Sequence, residues 1–293
     1  MTSGTQLTVV LGDIHGRFHR VQTWLEALES ARGRTVDLTF AVGDLEAFAR
    51  ADDHRRKAAK RAMPAEFAEY ASGLRHVHRP LYFIGGNNED FAALHAIQGG
   101  GDLAPDVHYL GRVGVKTLGG LKVGFLSGIH APRFYDAALE APRTRETSKQ
   151  AGYFRKREVE ALRRTPEMDI LLVHEWPRGL FVGQRQPDGK EFRPWMGNRV
   201  TQELVTALHP QWLLCGHSHT PWAASVTSEQ ATTRVTCLDQ AARPEGAVFW
   251  MEWEAGAAVR AGWGISGAVA WEAGQPWNGT RVPELALIAS DDS

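Results

Sequence analysis

The 293-residue sequence predicts a mixed α/β chain, a sandwich of mixed β-sheet flanked by helices. Three observations carry that expectation. Helical stripes interleave with short apolar runs in the first half, and strand patterns dominate the second. Five of the apolar runs end in glycine or a turn followed by Asp, Asn or His. No internal repeat, low-complexity block or linker interrupts the chain, so one domain over 1–293 is expected, with a weakly ordered tail from about residue 284.

The first run, Leu7, Val9 and Val10, reads as a strand entering Leu11-Gly12-Asp13-Ile14-His15-Gly16-Arg17. Alternate side chains of an extended strand share a face, so Asp13 and His15 are expected to project together and chelate one ion. A carboxylate beside an imidazole suits Mn, Fe or Zn better than Ca or Mg, which prefer all-oxygen shells. Taken alone, Asp-x-His also fits an ordinary polar strand end. From His19 to Arg32, Val21, Trp24, Leu25 and Leu28 form the stripe of an amphipathic helix. A second strand, Asp37 to Val42, runs into Gly43-Asp44 and completes a β-α-β unit.

Ala49 to Arg61 is dense in charge and reads as a solvated helix face, with a phosphate-contacting surface as the alternative. Pro64 then permits a helix through Phe67, Tyr70 and Leu74. Leu81 to Ile84 gives a third strand, ending at Gly85-Gly86-Asn87-Asn88-Glu89-Asp90. From about Val107 the pattern is strand-rich (Val107 to Leu110, Val113 to Thr117, Leu121 to Ser127), with Gly119-Gly120 as a hairpin turn. Gly128 to Gln150, with two prolines and several arginines, reads as a long irregular segment.

Helix is expected again at Tyr153 to Arg164, then a strand from Asp169 to Val173 arriving at His174-Glu175-Trp176-Pro177. Gly183 to Gly197 reads as an exposed excursion. A helix from Asn198 to Leu208 leads to strand Trp212 to Cys215 and Gly216-His217-Ser218-His219-Thr220. The remainder, including Thr233 to Leu238 and Ala247 to Trp253, reads as further strands.

Composition narrows the function classes. With 33 Lys and Arg against 34 Asp and Glu, the chain has no global basic footprint for nucleic acid, so any polyanion contact must be local. Cys215 and Cys237 are too few for a disulfide framework and are not spaced as a zinc pair, which points to a reducing compartment. No stretch approaches the roughly 20 apolar residues of a membrane span, and the amino terminus lacks a signal-like run. A cytoplasmic location is expected.

Collected in order, the strand-end residues are Asp13, His15, Asp44, Asn87, His174, His217 and His219. This set resembles the calcineurin-like metallophosphoesterase superfamily, whose pattern is Asp-x-His, Gly-Asp, Gly-Asn-His-Asp/Glu, a lone His and Gly-His-x-His. The resemblance implies a four-layer fold of two mixed sheets flanked by helices, and two divalent ions (Mn, Fe or Zn). Asp13, His15 and His219 would hold one ion, Asn87, His174 and His217 the other, with Asp44 bridging. Two ions about 3.5–4 Å apart can share a bridging hydroxide as nucleophile and clamp phosphate oxygens for in-line attack. Neutral Asn87 fits such a shell, because too many carboxylates would quench the charge that activates the water.

Within the superfamily, Gly43-Asp44-Leu45-Glu46-Ala47, Ile84-Gly85-Gly86-Asn87, Tyr109-Leu110-Gly111, Leu126-Ser127-Gly128-Ile129 and His174-Glu175-Trp176-Pro177-Arg178-Gly179 are similar to the RNA lariat debranching enzymes. The implied substrate is a nucleotide or nucleic-acid phosphodiester; no membrane contact and no protein partner are implied. There are two departures. Asn88 stands where the superfamily commonly has a phosphate-contacting histidine, and asparagine cannot deliver a proton near neutral pH. Asp13 stands where the lariat enzymes characteristically have cysteine, which moves the chain toward generic phosphodiesterases.

His130 is then a candidate substitute acid, with a solvent-facing loop histidine as the alternative. Arg178, and less so Arg133 and Arg143, are candidates to fork onto phosphate oxygens. Glu89 and Glu175 are candidates to orient neighbouring imidazoles. A phosphomonoesterase on the same site, or a binding module on a retired one, are the competing readings.

Overall fold

The computed structural model describes residues 5–50, 64–165, 167–180, 191, 193, 196–227, 229–277 and 280–283. Among them are fifteen strands. In chain order these are β1 (Gln6–Leu11), β2 (Leu38–Ala41), β3 (Leu81–Phe83), β4 (Gly101–Ala104), β5 (Val107–Tyr109), β6 (Val113–Leu118), β7 (Leu121–Leu126) and β8 (Ile170–Val173). They continue with β9 (Trp212–Cys215), β10 (Trp222–Thr227), β11 (Thr232–Cys237), β12 (Val248–Glu254), β13 (Ala257–Trp263), β14 (Trp271–Glu272) and β15 (Thr280–Pro283).

One sheet has the order β14-β13-β12-β1-β2-β3-β5-β4, the other β15-β10-β11-β9-β8-β7-β6. Both are mixed. β1, β2, β3 and β5 run parallel, as do β7, β8, β9 and β11, and antiparallel strands close the flanks. The alternation along β1 shows how the layers assemble. Leu7, Val9 and Leu11 pack with Phe18, Val21, Leu25 and Leu28 of helix Phe18–Arg32, whereas Val10 faces the second sheet. Between the sheets Val10, Phe40, Phe125, Leu172, Leu214 and Phe249 form one buried cluster. On the outer side of the second sheet, Val159 and Leu162 of helix Lys156–Arg163 and Leu204 and Val205 of helix Arg199–Leu208 cover Leu171, Leu213 and Val235. The result is the expected stack of two mixed sheets with helices outside.

Gly119-Gly120 joins β6 to β7 with φ of 55° and 86°, the positive values that a two-residue hairpin turn requires. The segment 128–150 differs from its irregular reading at its end, where Thr144 caps helix Arg145–Ala151 by accepting from the Thr147 N–H. Helix Phe91–Ala96, capped by Asp90, and strand β4 carry too short a pattern to be singled out in the sequence, whereas β10 and β13 fall in the remainder read as further strands. Most of the charge-dense 49–61 stretch, most of the 183–197 excursion and the tail from 284 lie outside the described residues. Among the described residues, no helix is long and apolar enough to cross a membrane.

Candidate metal centre

Parallel strands deliver their carboxyl-end loops to one edge of each sheet, the general location of ligand sites in such folds. Here β1, β2, β3, β8 and β9 each end in a loop that carries part of one cluster. Asp13 and His15 do not sit on the strand itself. β1 ends at Leu11, and His15 adopts a left-handed φ of 49°. The two side chains converge through a turn rather than by strand alternation, because the His15 and Gly16 N–H groups bond to the Asp44 and Leu45 carbonyls of the neighbouring loop.

Asp44, Glu46, His217 and His219 share that left-handed conformation. It is uncommon for residues with a Cβ, and such outliers concentrate at functional sites. Two glycines admit the carboxylates. A Cβ on Gly86 would lie 2.2 Å from Asp44 Oδ1, and one on Gly216 would lie 2.3 Å from Asp13 Oδ1.

Three ligand-type atoms meet at the first half of the cluster. His219 Nε2 lies 2.9 Å and His15 Nε2 3.8 Å from Asp13 Oδ2, and the two ring nitrogens are 3.1 Å apart. His15 Nδ1 donates to Glu46 Oε1 at 3.0 Å, which places the lone pair on Nε2, toward Asp13 and His219. Asp13 and His15 are fully buried, and Glu46 is 4% exposed.

In the second half, His174 Nδ1 donates to the Val42 carbonyl at 2.8 Å. The bond aims Nε2 at two oxygens, Asn87 Oδ1 at 3.1 Å and Asp44 Oδ1 at 3.4 Å. Burial acts to lower this histidine, but the Asp44 and Asp13 charges and the bond to Val42 outweigh it and raise the ring above its usual range. Asp44 Oδ1 also accepts from the Asn87 and Asn88 N–H groups, both at 2.8 Å. The His217 ring lies 4.9 Å from that of His174, and the His217 backbone N–H donates to Asp13 Oδ1 at 3.2 Å. Burial, then repulsion from His174, pushes His217 down to about 4. Burial acts to raise Asp13, but the surrounding histidines outweigh it and hold the carboxyl below its usual range.

The donor chemistry fits divalent metal. Asp13, His15 and His219 form one compact set of ligand atoms, Asp13, Asp44 and His174 a second, and His15, Asp44 and Glu46 a third, each within 4.8 Å. Imidazole nitrogens and carboxylate oxygens drawn this close suit a divalent transition metal.

A family model described as calcineurin-like phosphoesterase matches residues 7–221. The chain belongs to the calcineurin-like phosphoesterase family. Among curated proteins it is 30% identical over 229 residues to lariat debranching enzyme A of Xenopus laevis, covering 73% of this chain and 43% of that one. It is 28% identical over 245 residues to the lariat debranching enzyme of Arabidopsis thaliana, covering 78% and 59%. Less than half the length of the Xenopus relative is thus spanned. A crystal structure of the protein TT1561 from Thermus thermophilus shares the fold, with a TM-score of 0.53, 11% identity, and coverage of 89% of this chain and 100% of that one.

Around this phosphoesterase cluster the other expected residues take varied places. Asn88 is exposed and donates through Nδ2 to Asp44 Oδ2 at 2.6 Å. Glu89 does not orient an imidazole. Its carboxylate accepts from the backbone N–H groups of Leu45, Glu46 and Gly86, because the Asp44 loop leaves those donors turned inward. Glu175 likewise accepts from the His130 N–H and the Asn198 side chain, tying the 128 loop to the cap of helix Arg199–Leu208. The His130 ring is half-buried, stacked on Phe154 and edge-on to Tyr135; burial, then the Arg178 charge, pushes it below its usual range. Arg178 is half-buried, whereas Arg133 and Arg143 are exposed. Glu46 is the site residue that sequence reading passed over. Its signal was its position two after Asp44, inside a motif already singled out.

Proposed function

We propose that the chain is a binuclear metal-dependent phosphodiesterase acting on nucleotide or nucleic-acid phosphodiesters. The observation that carries this reading is the convergence of His174 Nε2 with Asp44 and Asn87 beside that of Asp13, His15 and His219. Asp13, His15 and His219 would hold one divalent ion, Asn87, His174 and His217 the second, and Asp44 both. Mn, Fe and Zn all suit such a shell. When bound, the ions supply a deprotonated water as nucleophile and positive charge on the phosphate oxygens.

The chain's own residues do the positioning. Glu46 holds the His15 ring, the Val42 carbonyl holds that of His174, and Glu89 braces the backbone of the Asp44 loop. Asn88 donates a hydrogen bond but carries no transferable proton, which favours diesters with a good leaving group. Arg178 is the candidate for a phosphate oxygen, and His130 for the proton donor. The similarity to lariat debranching enzymes supports a 2′,5′- or other nucleic-acid diester as substrate. One domain over 1–293 and a cytoplasmic location belong to the same reading, supported by two free, buried cysteines.

The test is hydrolysis of bis-p-nitrophenyl phosphate against p-nitrophenyl phosphate after chelation and re-addition of Mn, Fe, Zn or Mg. Metal-restored turnover with the diester preferred, abolished in Asp44→Ala, is expected. Full hydrolysis by Asp44→Ala would sink the mechanism.

A further inference from the structure

β10 starts just past the His217 and His219 loop and runs away from it, and β11 returns beside it. The far ends of these strands, with the turn after β14, line a cleft of about 280 Å³. It lies a strand's length from the metal cluster, since Arg234 pairs with Trp212 at the opposite end of β9 from Gly216. Ser225 pairs with Arg234, and Thr227 with Thr232, so the four share one sheet face. Gln275 and Trp277 complete the wall.

The guanidinium of Arg234 lies 4.4 Å over the Trp271 ring and 5.7 Å from that of Trp212. It is half-buried, and among the described residues no acidic side chain lines the cleft and no carboxylate pairs with it. Burial alone, with no opposing charge, pushes it below the usual arginine range. The Thr227 and Thr232 hydroxyls lie 3.2 Å apart on the same face. In the backbone register, Ser225 stands opposite Arg234 across the β10–β11 pair.

We propose that this cleft is a phosphate-binding site, taking the group as the free ion or as it is carried on a polynucleotide. A partly desolvated guanidinium without a counter-charge is stabilised by an anion, and its planar fork matches phosphate oxygens. A tetrahedral oxyanion also offers enough acceptors for the neighbouring hydroxyls. Base stacking does not account for the cleft, because Trp271 and Trp277 are only 1% and 4% exposed. The inference stands apart from hydrolysis, since none of these residues belongs to the metal cluster.

The full chain, loaded with diamagnetic zinc, is titrated with inorganic phosphate, a 5′-phosphorylated oligonucleotide and acetate at matched ionic strength, with a reporter beside Arg234 and a strand's length from the metal cluster. The Trp271 indole N–H resonance is followed. A saturable shift with either phosphate source, weakened about tenfold or more in Arg234→Gln at unchanged melting temperature, is expected. Response to the free ion identifies a small-anion site, and response to the oligonucleotide alone identifies a polynucleotide contact. No shift with either, an equal shift with acetate, or equal affinity in Arg234→Gln overturns the proposal. Should Arg234→Gln lose its fold, Ser225→Ala serves in its place, with a smaller loss expected.

Discussion

His15 and His219 face each other Nε2 to Nε2 at 3.1 Å, and the Nδ1–H of His15 is already committed to Glu46. His15 therefore offers only a lone pair there, and Asp13 Oδ2 is 2.9 Å from the same His219 nitrogen. A divalent ion that draws these ligand atoms together would stabilise the folded chain by binding it in preference to the unfolded one. Chelation should lower the melting temperature by several degrees, and re-addition of Mn or Zn should restore it in a concentration-dependent way. A melting temperature indifferent to chelator, in protein shown to be metal-loaded beforehand, would contradict the proposed ligand set.

Glu46 acts on the metal only through His15. Replacing it with alanine should weaken metal affinity about 10–100-fold, the usual cost of losing the carboxylate behind a ligating imidazole. Glu46→Gln keeps an acceptor for the His15 N–H and should lose less. Metal titration of the two variants separates this from a general loss of packing, which would affect both alike.

Gly86 gives the Asp44 carboxylate its space, since an added Cβ would lie 2.2 Å from Asp44 Oδ1 and 2.5 Å from its backbone nitrogen. Gly86→Ala should therefore displace Asp44, costing about 1–3 kcal/mol of stability and most of the diesterase activity together. A stable variant with unchanged turnover would show that Asp44 needs no fixed position.

Much of this arrangement was legible in the residues. The helix from about His19 was visible because Val21, Trp24, Leu25 and Leu28 recur at helical spacing, and the strands of the β-α-β unit because they are short, mostly apolar runs. The seven strand-end residues were legible as types, since Asp, Asn and His after glycine have few structural reasons to recur. Their geometry was not. The left-handed turns at His15, Asp44 and His217 arise from bonds between loops distant in sequence, as when His15 N–H reaches the Asp44 carbonyl. For the same reason the roles of Glu46 and Glu89 were hidden or misassigned. Each is decided by which inward-facing donor lies nearest after folding, and no spacing rule encodes that.

Glu29 supplies a pH signature remote from the site. Burial acts to raise its carboxyl, but bonds from Arg79, the Val36 N–H and His78 outweigh it and hold it down to about 2. Arg79 Nε, Val36 N and His78 Nε2 lie 2.7, 2.7 and 2.6 Å from it, fastening helix Phe18–Arg32 to the chain entering β2 and β3. The folded carboxyl thus titrates below the ordinary 4.5 of the unfolded chain. Between these values the unfolded state binds more protons, so this contribution is present above pH 4.5 and lost as pH falls toward about 2. With Arg79 30% and His78 28% exposed, solvent screening limits it to roughly 1–2 kcal/mol. Glu29→Gln should be destabilised by about that amount at neutral pH. Its melting temperature should also fall less steeply than that of the wild type between pH 5 and pH 2. Parallel pH profiles for the two proteins would mean that this carboxylate contributes nothing to the acid limb.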